Sequence, residues 1–333
     1  MKDVARAAGV SRSTVSNVVR GATTVLPETR DRVLAAVAAT DYRPHALARA
    51  LRERTTGVVA LIVTDAGNPF YASLGEGIEA EARNAGLLTI FANSRCDPAD
   101  ERVICDALIS RRVDGVIVGD TSKGATFPSL LADNGIPVVL AGCGVSSDPR
   151  VGSVDSDDEQ AMELVVSHLR ALGHTAADYI GYPDDQSAGA RRRSAARSAA
   201  AAAGLDLLEG ASDDATALIV HNDLLALSVL DALERSGRRV PEDVSVVGFD
   251  DTTLAGHQRI DLTSVRCDGA VIGRTAAAQI RVAVAEGRLA TERVLLECEL
   301  VIRGTTAPPR PNLATAGAGR VPRRQHQNGA RSR

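Results

Sequence analysis

The chain has 333 residues, 44% of them hydrophobic and 24% charged, which suffices for one large or several smaller folded domains. No apolar run reaches the roughly 18–20 residues of a membrane-spanning helix, and the N-terminus lacks a signal-peptide pattern, so a cytoplasmic protein without a membrane partner is expected. The five cysteines form neither a CxxC pair nor a Cys/His cluster, which argues against a disulfide framework or a zinc site.

The net charge of −4 is unevenly distributed along the chain. Residues 1–54 contain ten Lys and Arg against five Asp and Glu, a net charge of +5, and residues 310–333 contain six Arg and no acid. The segment between them therefore carries −15. A basic head on an acidic body indicates a polyanionic partner at one end, although a solvated basic surface gives the same pattern.

Residues 1–42 predict three short helices. The stretch "SRSTVSNVV" places its valines at i, i+3 and i+4, which is typical of a helix with one buried face. Ser11 stands at the expected N-cap of this helix, and Gly9 supplies the turn before it. The third helix begins at Pro27, a residue favoured at the first helical position.

From residue 57 onward, short β-branched runs alternate with helical segments of 12–17 residues. Examples of the runs are "GVVALIVT", "DGVIVGD", "TALIVHND" and "VSVVGFDD". This alternation predicts right-handed βαβ units on parallel sheets, and their number favours two doubly wound lobes over a single sheet. The tail 307–333 is rich in Pro, Gly and Arg, and is expected to be disordered.

A helix, a glycine turn and a polar second helix suit the major groove of DNA. On this interpretation Arg12, Ser13 and Asn17 face outward towards base edges, because Arg pairs with guanine and Asn with adenine. Phosphate contacts are expected from Ser11, Thr14 and Ser16. A generic three-helix bundle remains the alternative interpretation of these residues.

The opening stretch "KDVARAAGVSRSTVSNVVRG" resembles the DNA-binding head of the lac/gal repressor family of bacterial transcriptional regulators. The resemblance continues in order through "GVVALIVTDAGNPFYASLGEGIEAEARNAG", "SRRVDGVIVG", "HNDLLALSVLDAL" and "RRVPEDVSVVGFDD" to "ELVIRGTT". It covers nearly all of residues 1–306. The resemblance implies a small all-α helix-turn-helix head joined to an α/β body with the two-lobed fold of periplasmic binding proteins.

The domain boundaries that follow are a head at 1–43, a hinge helix at 44–56 and a body at 57–306. The N-terminal lobe of that body is expected to comprise 57–154 and 268–288, and the C-terminal lobe 155–267 and 289–306. Leu51 matches the family's hinge leucine, which wedges into the minor groove and kinks the duplex; a simple dimer contact is the alternative role. Two hinges meeting at one site imply a homodimer on near-palindromic operator DNA.

The resemblance also implies a small sugar or polyol effector in the cleft between the lobes. By motif match, its contacts are Asn68, Phe70 and Tyr71 from one lobe and Arg192, Asn222 and Asp250 from the other. Asn222 and Asp250 have alternative roles as helix caps. The choice of Arg192 over Arg191 or Arg193 is open in this Arg-rich stretch.

The sequence departs from the family pattern at the start of the third helix and in the C-terminal lobe. Leu26 stands where the family has a Ser or Thr cap, which predicts a weaker start for the third helix. Only about six residues, 210–215, separate the strand candidates in "GLDLLEG" and "ATALIVHND", fewer than a parallel crossover needs. Either 205–209 is not a strand of this sheet or a helix is missing there.

These observations predict an effector-responsive repressor. The alternative is a constitutive DNA-binding dimer whose truncated body no longer binds effector. A third possibility, an enzyme or sugar-binding protein unrelated to DNA, finds no support, because the sequence contains no nucleotide loop, nucleophile elbow or metal-spaced His/Asp cluster. No catalytic residue, metal or cofactor is therefore expected.

Overall fold

The computed structural model describes residues 1–19, 24–40, 42, 55–182, 187–208 and 215–310. The chain divides after Gly57 into two compact units. Most of the expected hinge, including Leu51, and residues 311–333 of the expected tail lie outside the described residues.

The first unit contains three helices packed around a small apolar core. They are α1 (Lys2–Ala8), α2 (Arg12–Val19) and α3 (Pro27–Ala39). Gly9 ends α1 with a left-handed φ of 63°, a conformation that glycine adopts without strain. The buried side chains come from all three helices, with Val4, Val15 and Val33 fully enclosed. Packing of these side chains therefore forms the core of the head.

The second unit contains two lobes, each built on a six-stranded sheet. The N-terminal lobe begins with β1 (Val58–Val63), α4 (Pro69–Asn84), β2 (Leu88–Asn93), α5 (Pro98–Arg111), β3 (Gly115–Val118), α6 (Phe127–Asp133), β4 (Val138–Ala141) and β5 (Gly152–Ser156). The C-terminal lobe follows with α7 (Asp158–Leu172), β6 (Ala176–Ile180), α8 (Ser187–Ala203), β7 (Asp206–Leu208), β8 (Ala217–Val220), α9 (Asp223–Arg235), β9 (Ser245–Asp250) and β10 (Thr263–Arg266). The last elements are α10 (Gly269–Glu286), β11 (Arg293–Leu296) and β12 (Glu299–Val301).

The strand order is β11-β5-β4-β3-β1-β2 in the first sheet and β12-β10-β9-β8-β6-β7 in the second. All pairs are parallel except β10 with β12. The central strands of both sheets are almost entirely buried, as expected when helices cover both faces. The prediction of two doubly wound lobes is confirmed.

The chain passes between the lobes three times. The first link joins β5 to α7, the second joins β10 to α10, and the third joins β11 to β12. The third link divides the continuous run "VLLECELVIRG" into two strands of different sheets. The N-terminal lobe therefore extends to Leu296, beyond the boundary expected at residue 288.

A strand is present before the short connection to β8. Asp206–Leu208 pairs in parallel with β6 at the edge of the second sheet, so the hypothesis that 205–209 is not a strand of this sheet is wrong. Residues 209–216 connect β7 to β8, and 209–214 lie outside the described residues.

The segment expected to begin a disordered tail contacts the C-terminal lobe over its described residues. The Ala307 amide donates to Ser245 Oγ at 3.1 Å, and Arg310 pairs with Asp243 at 2.9 Å. The body therefore continues at least to residue 310.

The start of α3 is a weak point of the head. Leu26 occupies its N-cap, offers no side-chain hydrogen bond and is 74% exposed. We predict that Leu26→Ser stabilises the head by about 1 kcal/mol, because the serine oxygen satisfies an unpaired amide of the first turn. The check is the unfolding transition of the head in scanning calorimetry of the full chain. Leu26→Ala is the control, since it shortens the side chain without adding an acceptor, and equal transition temperatures for the two variants would contradict the prediction.

Candidate functional site

The outward side of α2 collects most of the polar residues predicted to contact DNA. Arg12 and Ser13 are exposed, and Thr14 and Asn17 are half-buried. Ser11 Oγ accepts a hydrogen bond from the Thr14 amide at 3.1 Å, which is the geometry of an N-cap. The same hydroxyl lies 2.7 Å from Ser13 Oγ and 2.9 Å from Thr14 Oγ1. These hydroxyls therefore form one cluster at the N-terminal end of the helix.

Ser16 lies apart from this cluster. Its side chain is only 8% exposed, because α2 packs against both α1 and α3 and so buries Ser16 together with Val15 and Val18. This burial differs from the outward position predicted for a phosphate contact. The spacing of the valines in the sequence predicts one buried face of α2. It does not show that α2 contacts two helices, which bury more of its surface.

The second candidate site is the interlobe cleft, the junction where loops at the carboxyl ends of strands from both lobes meet. Phe70, in the first turn of α4, packs against the cores of both lobes. A Cβ at Gly142, just after β4, would lie 3.3 Å from its ring. Clefts at the carboxyl ends of parallel strands are where such sheets bind ligands.

Asn68 and Tyr71 flank Phe70 with roles of their own. Asn68 caps α4, since its Oδ1 accepts a hydrogen bond from the Phe70 amide at 3.0 Å. The buried Tyr71 hydroxyl lies 3.1 Å from Thr64 Oγ1. Burial raises the Tyr71 pKa, and the negative charges of Asp120 and, to a smaller degree, Asp250 raise it further. Tyr71 and Asp250, predicted from opposite lobes, therefore lie within electrostatic reach of each other.

Arg192 is only 5% exposed and is fully engaged by the C-terminal lobe. Its Nη1 donates to the His221 carbonyl at 2.6 Å and lies 3.9 Å from Asp250 Oδ1. Its Nε donates to Asp158 at 3.4 Å, and its guanidinium stacks 4.4 Å from the centre of the Phe249 ring. Arg192 therefore ties α7, α8 and the ends of β8 and β9 together beneath the cleft.

Asp250 ends β9 with an unusual backbone. Its φ is 97° and that of Asp251 is 48°, a left-handed conformation that non-glycine residues adopt at a cost and that clusters at functional sites. Residues 251–262 contain no helix, so Asp250 does not cap one. Asn222 does cap α9, because its Oδ1 accepts from the Leu225 amide at 2.8 Å.

Two cleft residues, Asp155 and Asp158, were missed by the sequence analysis, which left Arg191 open as an alternative to Arg192. Arg191 Nη1 donates to Asp155 at 3.0 Å and its Nε donates to Asp158 at 2.8 Å. Asp155 belongs to the N-terminal lobe and Arg191 to the C-terminal lobe, so this ion pair spans the junction. Arg191 Nη2 and Asp155 Oδ2 are among the few buried polar atoms of the described residues that have no hydrogen-bond partner.

Tyr182 was also missed, although it follows β6 as the other site residues follow their strands. Burial raises its pKa, while a hydrogen bond with the Asn222 amide opposes this rise. The charge of Asp65, from the N-terminal lobe, also raises it. The Tyr182 ring meets that of His221 edge to face, with centroids 5.4 Å apart. Proximity to the carboxyl end of a strand was the signal that would have found Tyr182, Asp155 and Asp158.

Within the part of the chain that the structure describes, no three His, Cys, Asp or Glu side chains are grouped to hold a metal ion. Among these same residues, no helix has both the length and the apolar character needed to cross a bilayer.

Models of known families match both units of the chain. Residues 1–45 match the bacterial regulatory proteins of the lacI family, residues 56–216 match the periplasmic binding proteins and sugar-binding domain of the LacI family, and residues 166–306 match a periplasmic binding protein-like domain. The chain is 32% identical to the HTH-type transcriptional regulator CelR of Thermobifida fusca, over 90% of this chain and 96% of that regulator. It is 30% identical to the HTH-type transcriptional repressor PurR of Photobacterium profundum, over 83% of this chain and 89% of that repressor.

Solved structures of similar proteins extend the match to three dimensions. The lac repressor dimer bound to operator and the anti-inducer ONPF has a TM-score of 0.78 and 26% identity, covering 92% of this chain and 98% of that one. A complex of the regulator CelR with cellobiose has a TM-score of 0.68 and 30% identity, covering 91% and 98%. Because the match spans nearly the whole length of these regulators, the alternative hypothesis of a truncated body is wrong. This chain belongs to the lacI family of bacterial regulatory proteins.

Proposed function

We propose that this chain is a cytoplasmic repressor that acts by binding rather than by catalysis. It reads a near-palindromic operator as a homodimer and responds to a sugar-like effector held between its lobes. The observation that carries the DNA-binding part is the orientation of α2: its valines are buried in the head, whereas Arg12 and Ser13 are exposed. A helix held in this way offers a polar edge to the major groove without losing its packing.

The residues of α2 suit distinct tasks at this interface. Arg12 and Asn17 can each form two hydrogen bonds with a base edge, to guanine and adenine respectively, and Ser13 lies between them. The hydroxyls of Ser11 and Thr14 suit phosphate oxygens, which fix the register of the head on the duplex. Ser16 is too buried to share this task without a change in the head. Leu51, outside the described residues, is proposed from the family resemblance as the minor-groove contact.

A homodimer is supported by the exposed apolar side chains of the N-terminal lobe. Leu88 and Phe91 on the edge strand β2 and Val103 on α5 are 62%, 52% and 69% exposed. An unpaired edge strand with exposed apolar residues favours association. The lac repressor, whose fold this chain shares, is a dimer when bound to its operator.

An effector of the polyol class fits the groups in the cleft. The cleft combines carboxylates at Asp155 and Asp250, a guanidinium at Arg191 and aromatic rings at Phe70 and Tyr182. Hydroxyl groups donate to carboxylates and accept from guanidinium, while the apolar face of a sugar packs on a ring. The unpartnered Arg191 Nη2 and Asp155 Oδ2, among the described residues, offer one donor and one acceptor for such a ligand. The regulator CelR, which has the same fold, was solved with cellobiose.

The proposed response follows from the position of the cleft. An effector that contacts both lobes stabilises one arrangement of them, and it shifts DNA binding only if that arrangement also favours one state of the head.

Selection of duplexes from a random pool tests the DNA-binding part. We expect an inverted repeat, because each chain of a symmetric dimer reads one half-site. Arg12→Ala should weaken binding to the selected duplex by about 1–3 kcal/mol and relax the preference at one base pair of each half-site. Arg32→Ala is the matched control, since it removes the same charge from an exposed position on α3 and should leave the base preference unchanged. Recovery of unrelated duplexes, or a single unrepeated site, would contradict the proposal.

A thermal-shift screen with cellobiose, other disaccharides and free pentoses and hexoses tests the effector part. A saccharide at a hundred times its Kd should stabilise the folded body by about 2.7 kcal/mol, because it binds only the folded state. Asp250→Asn should remove most of this shift, whereas Asp231→Asn, on the exposed side of α9 in an ion pair with Arg235, should retain it. Each shift is measured against the variant's own melting temperature. If no saccharide raises the melting temperature of the wild-type chain, the effector class is wrong.

A further inference from the structure

Two cysteines lie at the links that join the lobes. Cys267 follows β10 and opens the second link, and Cys298 precedes β12 and closes the third. Both side chains are buried, with 3% and 8% exposed. The site proposed for the effector does not use either thiol.

The strand pairing sets these cysteines opposite each other. In the antiparallel pair of β10 and β12, Val265 faces Leu300 and Arg266 faces Glu299, so Cys267 and Cys298 occupy the next facing positions. Facing residues of antiparallel strands have Cα atoms about 4.5–5.5 Å apart, within the 4.4–6.8 Å range of disulfides. The two Sγ atoms are 3.8 Å apart as free thiols. A bond therefore requires side-chain rotation rather than movement of the backbone.

The two thiols are chemically unequal. The hydrogen bond between them lowers the pKa of Cys298 and raises that of Cys267, whose burial raises it further. Of the two thiols, Cys298 therefore loses its proton more readily. The thiolate is the nucleophilic form of cysteine.

Cys298 also contacts the first link. Its amide donates to Gln160 Oε1 at 2.8 Å, and its Sγ lies 3.8 Å from the Asp157 carbonyl oxygen. Asp157 caps α7, directly after β5. All three connections between the lobes therefore meet around this pair of sulfurs.

We propose that Cys267 and Cys298 are a redox modification site that forms a reversible disulfide on reaction with a peroxide. The Cys298 thiolate attacks the O–O bond, becoming a sulfenic acid, and the Cys267 sulfur then displaces its oxygen as water. In sum, two thiols and one hydrogen peroxide give one disulfide and two waters. A dithiol reductant reverses the reaction.

The disulfide would covalently join the second link to the third, next to the first link. One consequence rests on the proposed function. If the lobes rearrange when effector binds, the disulfide would restrict that rearrangement in the oxidised chain. The cysteine pair would then make the regulator sensitive to oxidants as well as to its small-molecule effector.

The test treats the full chain with hydrogen peroxide and maps its cysteines by mass spectrometry without reduction. We expect a crosslinked peptide pair that contains Cys267 and Cys298, and loss of those two thiols, both restored by dithiothreitol. The melting temperature should rise by about 5 °C on oxidation, because the crosslink restricts the unfolded chain. Separate oxidation of each cysteine to a sulfinic acid, or survival of both thiols, would overturn the proposal.

Variants separate the pair from the other thiols. Cys267→Ser should abolish both the crosslink and the rise in melting temperature, and leave Cys298 to form a sulfenic acid that dimedone traps. Cys105→Ser, which removes a buried thiol of the N-terminal lobe, should change neither. Since these readouts need neither DNA nor saccharide, failure of the proposed function leaves them intact, whereas a missing crosslink refutes this inference alone.

Discussion

The buried guanidinium of Arg192 is the interaction on which the architecture of the cleft depends. It joins Asp158 at the start of α7, the His221 carbonyl after β8 and Asp250 at the end of β9, while its flat face lies on Phe249. Arginine suits this position because it stays charged and offers several donors in one plane. Removing one partner from such a buried group leaves uncompensated charge, at a cost of about 3–5 kcal/mol. The loops that form the C-terminal side of the cleft are therefore fixed from beneath.

The two neighbouring arginines, Arg191 and Arg192, have different partners. Arg192 is occupied by its own lobe, whereas Arg191 reaches Asp155 in the other lobe and has a donor without a partner among the described residues. The left-handed backbone of Asp250 and Asp251 is a second departure from the lowest-energy local structure. Asp223 holds this strained turn, accepting hydrogen bonds from the Thr252 amide at 2.6 Å and from Ser264 Oγ at 2.6 Å. Strain and unpartnered polar atoms coincide where the ligand is proposed to bind.

The two units of the chain differ in what they bury. The head buries a few small side chains from three short helices and leaves its charge on the surface. The body buries the central strands of two mainly parallel sheets, and most polar groups of the cleft lie near the carboxyl ends of these strands. The links between the lobes are short, so the few residues in them, including Asp157, Cys267 and Cys298, contact one another. Within the described body, these links are the chain connections between the two sheets.

The sequence by itself determined the elements and the family, because helical and strand periodicity, turn residues and a long ordered series of motifs are local properties of the chain. Through motif match to the family, it also predicted Phe70 and Asp250 as residues of the cleft. Only the tertiary structure decided that "VLLECELVIRG" divides between two sheets, that Ser16 is buried, that Arg191 rather than Arg192 spans the lobes and that two distant cysteines face each other. Each of these depends on which elements pack together, and side chains 30 or more residues apart acquire neighbours only when the sheets form.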